Sequence, residues 1–161
     1  MSGAKEITLT VNGKSRTVAI QAGETLSSVL RREGFLGVKI GCNEGICGAC
    51  TVILDGRAVN ACHTLAYQAH DLSVETIEGL GSFEKPHPIQ QALADGGAVQ
   101  CGYCTPGLIM AAKALMDEIP NPTDEEFEEH LDGNLCRCTG YEKIQDALRK
   151  VAGRGTEDPS P

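Results

Sequence analysis

The sequence is poor in aromatic and basic side chains. It contains no tryptophan, its aromatic residues amount to 4 %, and 14 lysines and arginines stand against 22 aspartates and glutamates, for a formal net charge of −8. A surface of this charge repels phosphate backbones, and so few aromatic rings offer few platforms on which bases could stack. The composition therefore argues against nucleic acid as a partner.

Long apolar runs are also missing. No stretch approaches the roughly 20 apolar residues of a membrane-spanning helix, and no charged segment followed by an apolar one opens the sequence as a secretory signal would. We therefore expect a cytoplasmic protein that does not engage a membrane. Cysteines stay reduced in that compartment, which makes the eight cysteines available to metal and disfavours a disulfide framework.

The eight cysteines form two quartets with different spacings. The first has a C-x4-C-x2-C loop and a more distant fourth member, and consists of Cys42, Cys47, Cys50 and Cys62. The second has a C-x2-C pair, a long gap and a C-x-C pair, and consists of Cys101, Cys104, Cys136 and Cys138. The first spacing is that of plant-type ferredoxins, in which three thiolates of one loop and a distant fourth hold a [2Fe-2S] cluster. Two such clusters in one small protein indicate electron transfer.

A zinc site with four cysteine ligands is the alternative reading of each quartet. Zinc sites usually have two short C-x2–4-C knuckles, whereas the loop of residues 41–50 is rich in glycine, which lets main-chain N–H groups turn toward anionic sulfur. The first quartet therefore favours iron and sulfide. The second quartet, taken alone, leaves zinc open as the less favoured reading, and its place beside a ferredoxin-like half further favours a second [2Fe-2S] cluster.

Before residue 80 the apolar residues have the period of strands. Ile7, Leu9 and Val11 alternate with polar residues up to an Asn-Gly turn, which predicts a first β-hairpin. A short helical pattern occupies residues 25–33, and an Asp-Gly pair at positions 55–56 predicts the turn of a second hairpin. A further strand is predicted over residues 72–77. This order resembles the β-grasp fold of plant-type ferredoxins, and we predict such a domain over residues 1–80.

After residue 80 the period becomes that of helices. Pro88 predicts the start of a first helix, and Thr105 and Pro106 predict the N-cap and first turn of a second. Thr123 and Glu126 form a capping box that predicts a third helix, and an apolar stripe over residues 141–151 predicts a fourth. The cysteine pairs of the second quartet precede the second and fourth of these helices, which suggests two helix pairs related by an approximate twofold axis. The overall prediction is an α+β protein with a four-helix domain over residues 81–153 and a disordered tail over 154–161.

Three segments then match one family. GCNEGICGACT (41–51), QCGYCTPG (100–107) and GNLCRCTGY (133–141) resemble the iron-sulfur subunit of the xanthine dehydrogenase family of molybdenum hydroxylases. The resemblance implies that two [2Fe-2S] clusters carry electrons from a molybdopterin site in a large subunit to FAD in a flavin-binding subunit or domain. It also implies that Gln100 and Cys138 approach the pterin.

The remaining residues indicate that substrate chemistry lies in another chain. No G-x-G-x-x-G motif or phosphate loop is present, every cysteine is already assigned, and the four histidines are scattered, so we expect them at surface or helix positions rather than as ligands. A hetero-oligomeric electron-transfer subunit is the main prediction. A free-standing two-cluster ferredoxin and a zinc-stabilised structural module are the alternatives.

Overall fold

The computed structural model describes residues 4–153, so the predicted disordered tail of residues 154–161 lies outside the described residues. Strands β1 (Lys5–Val11) and β2 (Lys14–Ile20) form the first predicted hairpin. Its turn residues Asn12 and Gly13 have φ values of 49° and 76°, which the two-residue hairpin turn requires at both positions. Helix α1 (Leu26–Arg32) follows, and the hydroxyl of Thr25 caps its first turn by accepting the N–H of Ser28.

The second predicted hairpin consists of β3 (Thr51–Leu54) and β4 (Arg57–Asn60). Strand β5 (Ser73–Glu75) follows, and the five strands form a mixed sheet with the order β2-β1-β5-β3-β4. Strands β1 and β5 are parallel, and the other neighbours are antiparallel. The apolar face of the sheet packs against α1 to form the first core. Strand β5 is shorter than predicted because the chain winds into a 3-10 turn at Ile77–Gly79.

Four helices follow: α2 (Pro88–Asp95), α3 (Thr105–Glu118), α4 (Asp124–Leu131) and α5 (Glu142–Val151). Helix α2 packs on α5 and α3 packs on α4, and their apolar stripes enclose a second core. Helix α4 begins with the predicted capping box, in which Thr123 and Glu126 satisfy each other's main-chain N–H groups. His87 is the N-cap of α2, where its Nδ1 accepts the N–H of Ile89 at 3.3 Å.

Two predicted helix starts were wrong by a residue or more. Cys104, not Thr105, is the N-cap of α3, because Thr105 is already the first residue of the helix. Helix α5 begins at Glu142, since Gly140 and Tyr141 have φ values of 69° and 68°, in the left-handed region that a helix cannot include.

The α+β class, the ferredoxin-like sheet and the helical unit are confirmed. The two halves share a small apolar cluster, in which Ile53 of β3 packs against Met110 and Ala114 of α3. The division near residue 80 and the twofold relation of the helix pairs stay predictions. Within residues 4–153, no helix combines the length and apolar character needed to cross a membrane.

Candidate metal centres

The first quartet is divided into two pairs of thiols. Cys42 and Cys47 lie in the glycine-rich loop and are hydrogen-bond partners of each other, as are Cys50 and Cys62 deeper in the protein. The loop passes close to its own sulfurs: a Cβ on Gly41 would lie 2.8 Å from Cys47 Sγ. Only glycine fits at this approach without displacing the sulfur.

Main-chain N–H groups of the loop point at the sulfur atoms, as the glycine-rich sequence predicted. Glu44, Ile46 and Cys47 each donate to Cys42 Sγ at 3.3–3.4 Å. These bonds, that of Glu44 first, lower the pKa of the Cys42 thiol to about 6. The loop therefore stabilises negative charge on sulfur, which a metal-bound thiolate carries.

The inner pair of the first quartet has the opposite environment. Burial raises the pKa of the Cys50 thiol to about 12, and the neighbouring thiol of Cys62 adds to the effect. Gly45 donates to Cys62 Sγ at 3.3 Å, and Cys62 donates to Cys50 Sγ at 3.4 Å. A buried thiol such as Cys50, which does not easily ionise alone, gains most from a cation that shares its charge.

The second quartet is also divided into two pairs, each with one member from each motif. The Sγ atoms of Cys101 and Cys138 lie 3.6 Å apart, and Cys104 and Cys136 are hydrogen-bond partners. The two motifs are far apart in the sequence, and the helical unit brings them together as predicted.

The electrostatics of this quartet differ from thiol to thiol. Burial raises the pKa of Cys104 to about 11. Burial also opposes ionisation of the Cys136 thiol. Hydrogen bonds to its sulfur from the Thr139 hydroxyl, at 3.0 Å, and from main-chain N–H groups outweigh this effect of burial and lower the pKa of Cys136 to about 7. The hydrogen bond with Cys101 raises the pKa of Cys138. The main chain of Cys138 also hydrogen-bonds the Cys136 thiol, so the two pairs lie next to each other in one site.

Paired thiols fit a binuclear cluster. Two thiolates at about 2.3 Å from one tetrahedral metal are about 3.8 Å apart, close to the 3.6 Å between Cys101 and Cys138. Within residues 4–153, no three histidine, cysteine, aspartate or glutamate side chains are grouped to hold one metal ion. A [2Fe-2S] cluster does not need such a group, because each of its two irons takes two protein ligands.

The pairs differ in exposure. Cys101 and Cys138 are exposed, Cys104 and Cys136 are half-buried behind them, and Gln100 is exposed beside Cys101. The second quartet therefore has an outer pair that faces away from the protein and an inner pair that faces the rest of the chain.

Three side chains whose contacts the sequence did not predict support the two loops. The Tyr141 hydroxyl accepts the N–H of Cys136 at 2.6 Å and donates to Asn134 O at 3.3 Å. The Tyr103 hydroxyl donates to Ile40 O at 2.7 Å, from one half of the chain to the other. Asn134 is buried between the halves. All three occur in the cysteine motifs. The bonds of Tyr103 and Asn134 reach residues 63 and 86 positions away, whereas those of Tyr141 span five and seven, and no sequence pattern predicted any of them.

Comparisons with known proteins agree with this geometry. Residues 9–74 match the 2Fe-2S iron-sulfur cluster binding domain family, and residues 76–149 match the [2Fe-2S] binding domain family. The chain is 49 % identical to the nicotinate dehydrogenase small FeS subunit of Eubacterium barkeri over 92 % of its own length and 95 % of the relative's.

Solved structures show the same unit both as a separate chain and as part of a longer one. A chain of quinoline 2-oxidoreductase from Pseudomonas putida 86 superposes with a TM-score of 0.87 at 42 % identity, over 96 % of this chain and 99 % of that one. Aldehyde oxidoreductase from Desulfovibrio gigas superposes with a TM-score of 0.89 at 42 % identity, but the match covers only 17 % of that longer chain.

The fold and the paired thiols thus define a protein with two [2Fe-2S] domains. The chain belongs to the small iron-sulfur subunits of the xanthine dehydrogenase family of molybdenum hydroxylases. It is therefore a component of a multi-subunit oxidoreductase.

Proposed function

We propose that this chain transfers electrons from a molybdopterin site in a large partner subunit to FAD in a flavin-binding partner, in a cytoplasmic hetero-oligomer. The eight cysteines of the two quartets are its iron ligands, two to each iron. A bound [2Fe-2S] cluster supplies one-electron redox chemistry at each quartet. The substrate site lies in the large partner.

The observation that carries this proposal is the division of both quartets into pairs of interacting thiols, one of which, Cys101 and Cys138, has the 3.6 Å spacing that one iron requires. The chain itself keeps the thiols paired and supplies the N–H groups that stabilise their charge. Glu44, Ile46 and Cys47 do so for Cys42, and Thr139 does so for Cys136.

The exposed pair Cys101 and Cys138 supports a direction for the transfer. An anionic centre at the surface, with the side-chain amide of Gln100 beside it, is suited to face a polar cofactor in another chain. The second quartet therefore receives electrons from the pterin, with Gln100 and Cys138 toward it, and the loop of Cys42 to Cys50 lies toward the flavin.

Metal analysis tests the ligand assignment. The isolated holoprotein should contain about four irons and four acid-labile sulfides per chain. Stoichiometric zinc without labile sulfide would contradict the assignment and favour a structural module.

Substitution of Gln100 tests the direction. Gln100→Ala should leave a partner polar group without its hydrogen bond, at a cost of about 1–3 kcal/mol, while iron content stays unchanged because no ligand is altered. In rapid-mixing absorbance experiments on the assembled enzyme, reduction by substrate should slow and re-oxidation through the flavin should not.

Gln91→Ala is the matched control, because Gln91 is exposed on α2 and pairs only with Asp95 of the same helix. It should change neither rate. If Gln100→Ala slowed only re-oxidation, the proposed order of cofactors would be wrong.

A further inference from the structure

Asn134 is a buried amide at the contact between the two cysteine-bearing regions. Its exposed fraction is 5 %, and its Nδ2 donates to Gly48 O at 3.0 Å and to Thr51 Oγ1 at 3.3 Å. Both acceptors belong to the ferredoxin-like half, whereas Asn134 belongs to the helical half. A buried amide is costly unless it is hydrogen-bonded, so these bonds hold the two halves at a defined separation.

Directly beside Asn134, the two main chains are joined by a hydrogen bond. Leu135 N donates to Cys47 O at 3.0 Å. Cys47 belongs to the first quartet, and Leu135 precedes Cys136 of the second. One hydrogen bond therefore connects the main chains of two proposed ligand segments.

The side chain of Asn134 also packs closely against the main chain at Gly48. A Cβ on Gly48 would lie 2.4 Å from Asn134 Nδ2 and 2.4 Å from Gly133 O, so the amide fills the volume that a side chain at position 48 would occupy. Gly48 O also accepts the hydroxyl of Thr51 at 2.7 Å. The Gly48 carbonyl, the Thr51 hydroxyl and the Asn134 amide are thus all hydrogen-bonded to one another.

We propose that Asn134 is a positioning residue for electron exchange between the two centres. By binding Gly48 O and Thr51 Oγ1, it keeps Leu135 N–H on Cys47 O and so keeps the two cysteine segments in main-chain contact. No bond forms or breaks at Asn134 and no proton moves, because the side chain acts only through the position of this contact. The inference rests on the proposed function and adds to it a residue that touches neither centre.

The test is Asn134→Asp in the assembled enzyme. Aspartate has nearly the same shape but lacks the N–H donors, and it places an oxygen opposite Gly48 O. We expect exchange of the Leu135 amide hydrogen to become about tenfold faster, equivalent to about 1.4 kcal/mol of local stability. The magnetic interaction between the two reduced centres in electron paramagnetic resonance should weaken, and electrons should equilibrate between the centres more slowly, with unchanged iron and sulfide content.

Asn12→Asp is the matched control. Asn12 Nδ2 donates to Thr76 Oγ1 at 2.9 Å, a bond from an asparagine amide to a threonine hydroxyl that lies entirely within the ferredoxin-like half and does not involve Gly48, Thr51 or a cysteine. This variant should leave both the exchange of the Leu135 amide and the magnetic interaction unchanged. Thr51→Val is a second, milder variant, which removes the hydroxyl acceptor and should change both measurements in the direction of Asn134→Asp.

The inference is overturned if Leu135 exchange accelerates in Asn134→Asp while equilibration between the centres keeps its normal rate. It is also overturned if neither Asn134→Asp nor Thr51→Val affects Leu135. Loss of iron from Asn134→Asp would likewise overturn it, because it would assign Asn134 to assembly of the centres. Failure of the proposed function is a separate result, since the unsubstituted enzyme would then lack iron or would not be reduced by its substrate.

Discussion

Gly107 offers the sharpest test of how tightly the two halves are packed. It lies buried in the first turn of α3, and a Cβ there would stand 2.1 Å from Gly48 O and 3.1 Å from the main chain of Ala49. Gly48 O would have to move by about 0.9 Å to reach 3.0 Å, the lower limit of real contacts. The obstacle is main chain on both sides, so no side-chain rotation relieves it.

The magnitude follows from two opposing effects. Gly107→Ala gains about 0.5–1 kcal/mol of helix propensity. Overpacking costs about 1–3 kcal/mol, and displacing Gly48 O weakens its buried bonds to Thr51 and Asn134 by about 1 kcal/mol each. We therefore expect a net loss of about 3 kcal/mol of stability, or a fall of about 6–12 °C in the midpoint of thermal unfolding.

The assay compares apparent unfolding midpoints of the holoproteins at one heating rate, because loss of iron makes unfolding irreversible. Gly133→Ala is the control, since a Cβ at that position meets nothing within 4 Å. Equal midpoints for Gly107→Ala and Gly133→Ala would refute the argument that main-chain contact at Gly107 holds the halves together.

Two further predictions concern the helical half and pH. Cys104→Ala should reduce hydrogen-exchange protection in α2–α5 more than in the sheet, because each half is stabilised by its own thiolate site; equal loss in both halves would contradict this. Burial, and then the charge of Lys113, lowers the pKa of His87 below its usual 6.5. The unfolded chain therefore binds a proton more readily, so stability should be full above pH 6.5 and fall as the pH decreases through the folded pKa. In His87→Asn, which keeps a neutral cap, the apparent midpoint of thermal unfolding, measured at one heating rate and several pH values, should depend less on pH; an unaltered slope would exclude His87 as the source of the pH dependence.

Local patterns predicted most of the fold because their physical causes are local. The Asn12-Gly13 turn needs two residues that tolerate positive φ, Pro88 needs no N–H at a helix start, and the pair Thr123 and Glu126 satisfies N–H groups that no helix can satisfy itself. Each of these three features depends on residues at most four positions apart in the sequence. The cysteine spacing was informative for the same reason in the first loop, where three of four thiols are close in sequence.

The contacts between the halves were not predictable in this way. Asn134, Tyr103 and Gly107 act on residues far away in the sequence, and a polar or glycine position gives no sign of such a partner. Gly107 gave the nearest hint, because a glycine inside a helical pattern usually has a packing reason. The misplaced start of α5 has a local cause: Tyr141 adopts a left-handed conformation whose cost is offset by its bonds to the main chain of Cys136 and Asn134, five and seven residues earlier.

Closely similar units occur in enzymes named for different substrates, nicotinate, quinoline and aldehydes. The shared fold supports the proposal that substrate recognition lies in another chain. Under the proposed function the task of this chain is geometric, because each quartet must keep its thiols in pairs and the two quartets must keep a constant separation. The proposed cysteine ligands would serve the first requirement, and the contact of Asn134, Gly48 and Gly107 would serve the second. A substitution at that contact should therefore affect the exchange between the centres whatever the substrate, while leaving every cysteine in place.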